Sequence, residues 1–189
     1  RIMANLIGTE GADTLEGGDE GDFIFAMGGD DLLSGGFHGD QITSGDGNDT
    51  ADGGFNNDVV NGDAGDDSLL GGSGDDILTG GAGADTLLGG LGNDNLQINI
   101  LSDALGDQID GGIGLDTLWT SFATELSGVT FAAPDPVGAT TVPGGASITG
   151  VEAFWITGSG FADQFTGGRW TDYLYGLEGN DTLRGGLGF

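Results

Sequence analysis

The 189-residue chain is strongly acidic, rich in glycine and poor in the residues that build a conventional core. It carries 31 acidic and three basic residues, for a formal net charge of −28, and 37% of its residues are hydrophobic. Nucleic acids and anionic membranes attract cationic surfaces, so neither is expected as a partner, and no apolar run is long enough for direct membrane insertion. Because cysteine is absent, disulfides, zinc–thiolate sites and thiol catalysis are excluded. The expected partner is a cation.

A nine-residue repeat begins near residue 8 and continues without insertion to residue 97. Each unit follows the pattern G-G-x-G-x-D-x-U-x, where U is a large aliphatic residue, and "GGSGDDILT" at 71–79 is one complete copy. Only Ala51 departs from the aliphatic rule. Ten copies in a single phase predict a repeating structural unit. The aspartates of this block are Asp13, Asp22, Asp31, Asp40, Asp49, Asp58, Asp67, Asp76, Asp85 and Asp94.

The spacing of glycine and aspartate within the unit predicts a metal site. Glycines allow positive φ angles in the first six residues, so backbone carbonyls turn inward beside the aspartate carboxylate. An all-oxygen site suits a hard cation, and calcium accepts such geometry more readily than magnesium does.

The last three residues of each unit predict a short strand with its aliphatic side chain inward. If two nonapeptides complete one coil, Asp67 lies near Asp85 and Asp76 lies near Asp94, with calcium between the members of each pair. Five turns on each edge then hold about eight calcium ions in the first block.

The repeat is similar to the calcium-binding nonapeptide of the RTX (repeats-in-toxin) proteins. The resemblance implies an all-β fold, a parallel β-roll or β-solenoid, that folds on extracellular calcium. It also implies type I secretion and a location outside the bacterial cell or at its surface. In this family the secretion signal follows the last repeat, and we therefore expect this chain to be part of a larger polypeptide.

The regular block, 8–97, is followed by three stretches of different character. At "INIL" the phase slips by four residues, and 98–119 contains two weaker units. From 120 to 157, β-branched and aromatic residues predict a β segment with longer strands and a more conventional core. A second, truncated block is expected at 158–189. The additional candidate metal ligands in these stretches are Asp107, Asp116, Asp163, Asp172 and Asp181.

Catalytic motifs are not recognisable in the sequence. Adjacent acids such as Asp75 and Asp76 resemble a general acid–base pair, but they occupy positions five and six of the repeat. His38, the only histidine, is expected to be an exposed loop residue. We therefore expect no enzymatic activity in this chain. One alternative is that the roll is an accessory module of a secreted enzyme whose catalytic domain lies elsewhere.

A second alternative is a self-assembling segment of a surface layer, filament or adhesin. Phe23, Phe25, Val59 and Ile77 are expected on the outer face of the roll, where they favour a contact surface. Phe189 is expected to adjoin either further polypeptide or a neighbouring molecule. The possible partners are therefore calcium ions, a second copy of the chain and the rest of a larger protein.

Overall fold

The computed structural model describes residues 3–98, 106–125, 127–133, 140–141 and 146–188. Within these ranges every regular element is a β-strand, and no helix is long and apolar enough to cross a membrane. The strands are β1 (Asn5–Ile7), β2 (Thr14–Glu16), β3 (Phe23–Phe25), β4 (Leu32–Gly36), β5 (Gln41–Asp46), β6 (Thr50–Phe55), β7 (Val59–Ala64), β8 (Ser68–Ser73), β9 (Ile77–Ala82), β10 (Thr86–Leu91), β11 (Asn95–Ile98), β12 (Gln108–Ile113), β13 (Thr117–Ser121), β14 (Thr130–Ala132), β15 (Thr140–Thr141), β16 (Ser147–Thr149), β17 (Ala153–Thr157), β18 (Gln164–Thr166), β19 (Tyr173–Tyr175) and β20 (Thr182–Arg184).

Successive strands alternate between two parallel sheets, as the expected β-roll requires. One sheet has the order β1-β3-β5-β7-β9-β11-β13-β17-β19, and the facing sheet has the order β15-β16-β12-β10-β8-β6-β4-β2. Strand pairs are parallel except for β15 with β16. In the regular block each residue pairs with the residue 18 positions away, for example Val60 with Leu78. The all-β fold and its coil of two nonapeptides are confirmed.

The core of the regular block consists of two facing aliphatic ladders, one from each sheet. Leu78, Leu87 and Leu96 are each fully buried, and they alternate between the sheets along the chain. Ala51, the one small residue at this position, is also buried and pairs with Leu33 and Leu69. Because each coil contributes only two such side chains, the core is narrow and leaves the turns to supply further stabilisation.

The register slips by four residues between β11 and β12 without breaking the roll. Leu87 pairs with Ile109, a separation of 22 residues instead of 18, so the core ladder continues across the slip. The "INIL" bulge itself falls largely outside the described residues.

Of the strands described between 120 and 157, β13 and β17 exceed the three residues expected of a repeat unit, and β14, β15 and β16 do not. The five strands are two to five residues long, whereas β5 to β10 have six residues each. The extra core volume comes instead from buried phenylalanines: Phe131 packs on Phe154 with ring centroids 5.2 Å apart, and Phe122 packs on Phe165 at 6.3 Å. A third sheet, β14-β18-β20, completes this half.

The outward apolar residues occupy the positions that the repeat assigns to them. Phe25, Val59 and Ile77 are exposed by 51%, 42% and 38%, and Phe23 is half-buried. Phe189 lies outside the described residues.

Candidate metal centre

The aspartates of the repeat form two continuous ladders, one along each edge of the roll. In each step the backbone N–H of one aspartate donates to Oδ1 of the aspartate on the next coil. The N···O distance is 3.0 Å from Asp67 to Asp85 and 2.9 Å from Asp76 to Asp94. The structure therefore brings together the two pairs that the repeat predicted.

The first edge contains Asp13, Asp31, Asp49, Asp67, Asp85 and Asp107. The second edge contains Asp22, Asp40, Asp58, Asp76, Asp94 and Asp116. Past the interruption, Asp163 and Asp181 form a shorter ladder, and Asp172 accepts from the N–H of Phe154. All fifteen predicted aspartates thus lie in turns, and fourteen of them accept an N–H from the preceding coil through Oδ1.

The second carboxylate oxygen, Oδ2, separates twelve of these aspartates into two groups, and Asp85, Asp107 and Asp181 belong to neither. In the first group Oδ2 is buried and has no hydrogen-bond partner. This group contains Asp31, Asp40, Asp49, Asp58, Asp67, Asp76, Asp94 and Asp116. A buried anionic oxygen without a partner is costly, so these eight positions require a cation or a proton.

Every turn of this first group has left-handed backbone at its second position, and all but the turn of Asp116 have it at the fourth position as well. In the turn before Asp76, Gly72 has φ of +104° and Gly74 has φ of +141°. Asparagine and histidine, which occupy the fourth position at Asn56 and His38, also adopt φ of +72° there. This conformation leaves Oδ2 without a donor from its own turn, and we call it the open turn.

In the second group the turn closes on its own aspartate. The N–H of the second residue donates to Oδ2, from Gly18 to Asp22 at 2.7 Å and from Ser159 to Asp163 at 2.7 Å. The turns of Asp13 and Asp172 are closed in the same way, through the N–H groups of Thr9 and Gly168. The fourth position of three of these turns is a bulky residue, Glu20, Phe161 or Trp170, which disfavours positive φ.

Backbone carbonyls approach the free Oδ2 atoms, and this arrangement fits a hard cation. A methyl group placed on Gly71 would lie 2.5 Å from Oδ2 of Asp76 and 2.7 Å from the carbonyl oxygen of Gly89 on the next coil. No three acidic or histidine side chains converge anywhere in the described ranges, so a bound cation would need ligands other than carboxylates as well. Calcium, which accepts carboxylate and carbonyl oxygens in flexible geometry, fits this donor set.

The electrostatics of the ladders also favour a bound cation. Burial raises the pKa of Asp58 and Asp67 to about 7, and the pKa of Asp76 and Asp116 to about 6. Backbone N–H donors oppose the shift, and repulsion from neighbouring carboxylates adds to it. A divalent ion between the coils would offset both the burial cost and the repulsion.

A second seam of hydrogen bonds follows position five, on the exposed side of each edge. Asp75 Oδ1 accepts from the backbone N–H of Asn93 at 2.8 Å, and Asn57 Oδ1 accepts from the N–H of Asp75 at 3.1 Å. Asp66 and Asn48 make the same contact on the other edge at 2.8 Å. The adjacent acids therefore have structural partners, in keeping with their repeat positions, and His38 is exposed.

Glu152 is a ladder member that the repeat pattern did not predict. Its Oε2 accepts from the N–H of Asp116 at 2.9 Å, the contact that an aspartate makes on every earlier coil of that edge. The pattern required aspartate five residues after a glycine, whereas Glu152 follows Gly150 by two. A glutamate placed directly before a strand was the signal available in the sequence.

The profile of the RTX calcium-binding nonapeptide repeat matches the chain in four copies, at residues 7–42, 34–69, 61–96 and 157–189. Together these copies cover well over half of the chain. No curated protein sequence matches it.

Proposed function

The chain belongs to the RTX calcium-binding nonapeptide repeat family, and from this premise we propose that its open turns bind calcium and that the roll folds only when they are filled. The observation that carries the proposal is the set of eight buried, unpartnered Oδ2 atoms along the two edges. A methyl group placed on Gly71 would meet both Oδ2 of Asp76 and the carbonyl of Gly89 on the next coil, which supports a calcium ion bridging successive coils.

The two kinds of turn are proposed to differ in calcium affinity. In an open turn the carboxylate oxygen is available to the ion, whereas in a closed turn calcium must displace the N–H of residues such as Gly18 or Ser159. Of the eight or so gaps in the first block, the six between the turns from Asp31 to Asp94 are therefore proposed to bind most tightly. Asp13, Asp22, Asp163 and Asp172 are proposed as the weaker ligands.

Repeats of this family are characteristic of secreted bacterial proteins, and this setting matches the chemistry. We propose that the chain is part of a larger secreted or cell-surface protein. Sites with affinities of about 10⁻⁴ to 10⁻³ M would be empty in the cytosol and filled outside. The acidic chain would then stay unfolded during export and fold on arrival.

Calcium removal tests this function directly. Far-UV circular dichroism of the chain should show strand signal in millimolar calcium and its cooperative loss in excess EDTA, with recovery when calcium is restored. Magnesium at the same concentration is the control and should not restore it. Full strand signal in EDTA would contradict the proposal.

The position of the ions gives a second test. Anomalous scattering should place calcium between Asp76 and Asp94, on one edge, and Asp76→Ala should weaken the two sites shared with Asp58 and Asp94 while leaving the opposite edge filled. Ions between consecutive turns, such as those of Asp67 and Asp76, would refute the two-edged arrangement.

A second candidate function is self-assembly, favoured by an apolar row on the outside of one edge. Phe37, Phe55, Leu91 and Ile113 stand at the same turn position and are exposed by 51% to 70%. The rings of Phe37 and Phe55 stack with centroids 5.0 Å apart. A row of this kind on each of two copies would form a self-complementary contact.

Light scattering in millimolar calcium distinguishes the candidates. If assembly uses this row, the chain forms oligomers that Phe37→Ser with Phe55→Ser dissociates. If the chain stays monomeric at high concentration, the self-assembly function is wrong and calcium binding remains as the proposed function. The enzymatic alternative, an accessory module of a secreted hydrolase, would depend on residues outside this chain.

A further inference from the structure

The turn between β16 and β17 replaces a complete repeat turn with half as many residues. Asp110 pairs with Thr149, and Thr117 pairs with Ala153, so the two turns begin and end at matching points. Six residues, 111–116, connect Asp110 to Thr117, whereas only three, 150–152, connect Thr149 to Ala153. Gly150 stands opposite Gly111, and Glu152 directly precedes its strand, as Asp116 does.

Glu152 compensates for the short turn with a longer side chain. Its carboxylate accepts from the N–H of Asp116 at 2.9 Å, close to the 2.8 Å between the N–H of Asp94 and Oδ1 of Asp116. The extra methylene of glutamate carries the carboxylate to the place that aspartate reaches from a full turn. The edge ladder therefore gains one more carboxylate beyond its last aspartate.

The oxygens around this step repeat the arrangement of the regular turns. Oδ2 of Asp116 is buried, and it has no hydrogen-bond partner. A methyl group on Gly111 would lie 2.8 Å from that oxygen and would also collide with the carbonyl oxygen of Gly150. In the regular turn, Gly71 stands in the same relation to Asp76 and Gly89.

The charge at this step is negative. The carboxylates of Asp116 and Glu152 repel each other. Of the three basic residues in the chain, Arg169 is the nearest in sequence and lies one coil beyond this turn, since Trp155 pairs with Tyr173. Two carboxylates and a carbonyl around one point make a donor set for a hard divalent cation.

We propose that Glu152 is a calcium ligand and forms, with Asp116 Oδ2 and the Gly150 carbonyl, a site at the step between the regular roll and the aromatic half of the chain. None of Asp116, Gly150 and Glu152 lies in a stretch that matches the repeat profile. The inference rests on the proposed calcium binding of the open turns. It adds a ligand type, glutamate, and a turn length that the nonapeptide pattern does not include.

The test measures calcium stoichiometry in the full chain by titration calorimetry and equilibrium dialysis. Glu152→Gln keeps an oxygen acceptor for the N–H of Asp116 but removes the charge, and it should bind one calcium ion fewer per chain. Glu152→Asp keeps the charge but should also lose the ion, because the shorter side chain cannot span the gap. Glu16→Gln, which removes an exposed charge on β2, is the matched control and should bind the full number.

Terbium luminescence localises the loss. Trp119 and Trp155 follow Asp116 and Glu152 by three residues each, and their rings stack with centroids 4.2 Å apart. In a Trp170→Phe background these are the remaining tryptophans, so tryptophan-excited terbium emission should fall on Glu152→Gln and be unchanged on Glu16→Gln. Circular dichroism in calcium verifies folding, and Glu152→Asp replaces the glutamine variant if that variant does not fold.

The outcomes separate this inference from the proposed function. If wild type binds calcium and both Glu152 variants bind the same number of ions with unchanged terbium emission, the Glu152 site is wrong and the open-turn sites stand. If wild type binds neither calcium nor terbium, the proposed function itself fails.

Discussion

Replacing Asp76 with asparagine should change stability in opposite directions with and without calcium. Asparagine Oδ1 can still accept from the N–H of Asp58, a contact of 2.8 Å in wild type. Its amide nitrogen takes the place of Oδ2, which is buried without a partner, and can donate to the nearby carbonyl of Gly89. In EDTA, where the wild-type roll is unfolded, the variant should therefore shift the folding equilibrium toward the folded state by about 1 kcal/mol.

In calcium the same substitution removes a ligand. At a calcium concentration one hundred times Kd, one filled site stabilises the fold by about 2.7 kcal/mol. Asp76 is shared by two sites, so losing one or both outweighs the gain of about 1 kcal/mol from the amide. The variant should be about 1.7 to 4.4 kcal/mol less stable than wild type. The sign of the change thus depends on the ion.

In calcium, urea unfolding followed by circular dichroism measures the change. In a chelator, where the roll is unfolded, the same signal is followed during refolding by trimethylamine N-oxide, which strengthens burial and so brings the folding equilibrium into range. Glu16→Gln is the matched control, because Glu16 is exposed on β2 and its charge lies several coils away from the turn of Asp76. It should change stability little in either condition. Equal destabilisation by Asp76→Asn in calcium and in chelator would refute the reasoning.

Three further predictions concern protons, turns and core. Burial raises the pKa of Asp58 and Asp67 from 3.8 to about 7. The calcium-free fold should therefore be most stable below about pH 4 and lose stability as the pH rises through about 7. Circular dichroism in EDTA that showed the reverse trend would contradict this. Gly45→Ala, at φ +110° and against the Met27 carbonyl, should cost about 1–2 kcal/mol from backbone strain alone, whereas Gly160→Ala, with open space around it, should be neutral in the same urea assay. Leu78→Ala should cost about 2–5 kcal/mol in calcium, and a smaller loss would mean that the aliphatic ladder contributes less than its burial indicates.

The regular part of the fold was predictable from the sequence because every unit has the same residue types at the same positions. Aspartate and aliphatic positions recur every nine residues, so the pairing of Val60 with Leu78 and of Asp76 with Asp94 follows once two units make a coil. The slip of four residues was also visible in the phase of Asp107 and its neighbours. Coils of identical length leave few alternative registers.

The features that the sequence did not reveal depend on context beyond the motif. Glu152 was missed because its turn is three residues shorter than a repeat turn, and only the pairing of Thr149 and Ala153 with the regular turn reveals the match. Open and closed turns share the aspartate and differ in backbone conformation. The residue at the fourth position of a turn only partly predicts whether the turn is open or closed, since glycine occupies it both in a closed turn, as Gly11, and in an open turn, as Gly74.

The two seams of side-chain hydrogen bonds run in opposite directions along the roll, and this polarity affects how the array grows. At position six a coil donates its N–H to the carboxylate of the following coil, whereas at position five it accepts from that coil through side chains such as Asn57. Each formed coil therefore presents both a donor and an acceptor template to the next one. Since each coil contacts only its nearest neighbours, folding can start at one filled site and extend coil by coil in both directions. A defective coil in the middle would divide the roll into two shorter arrays.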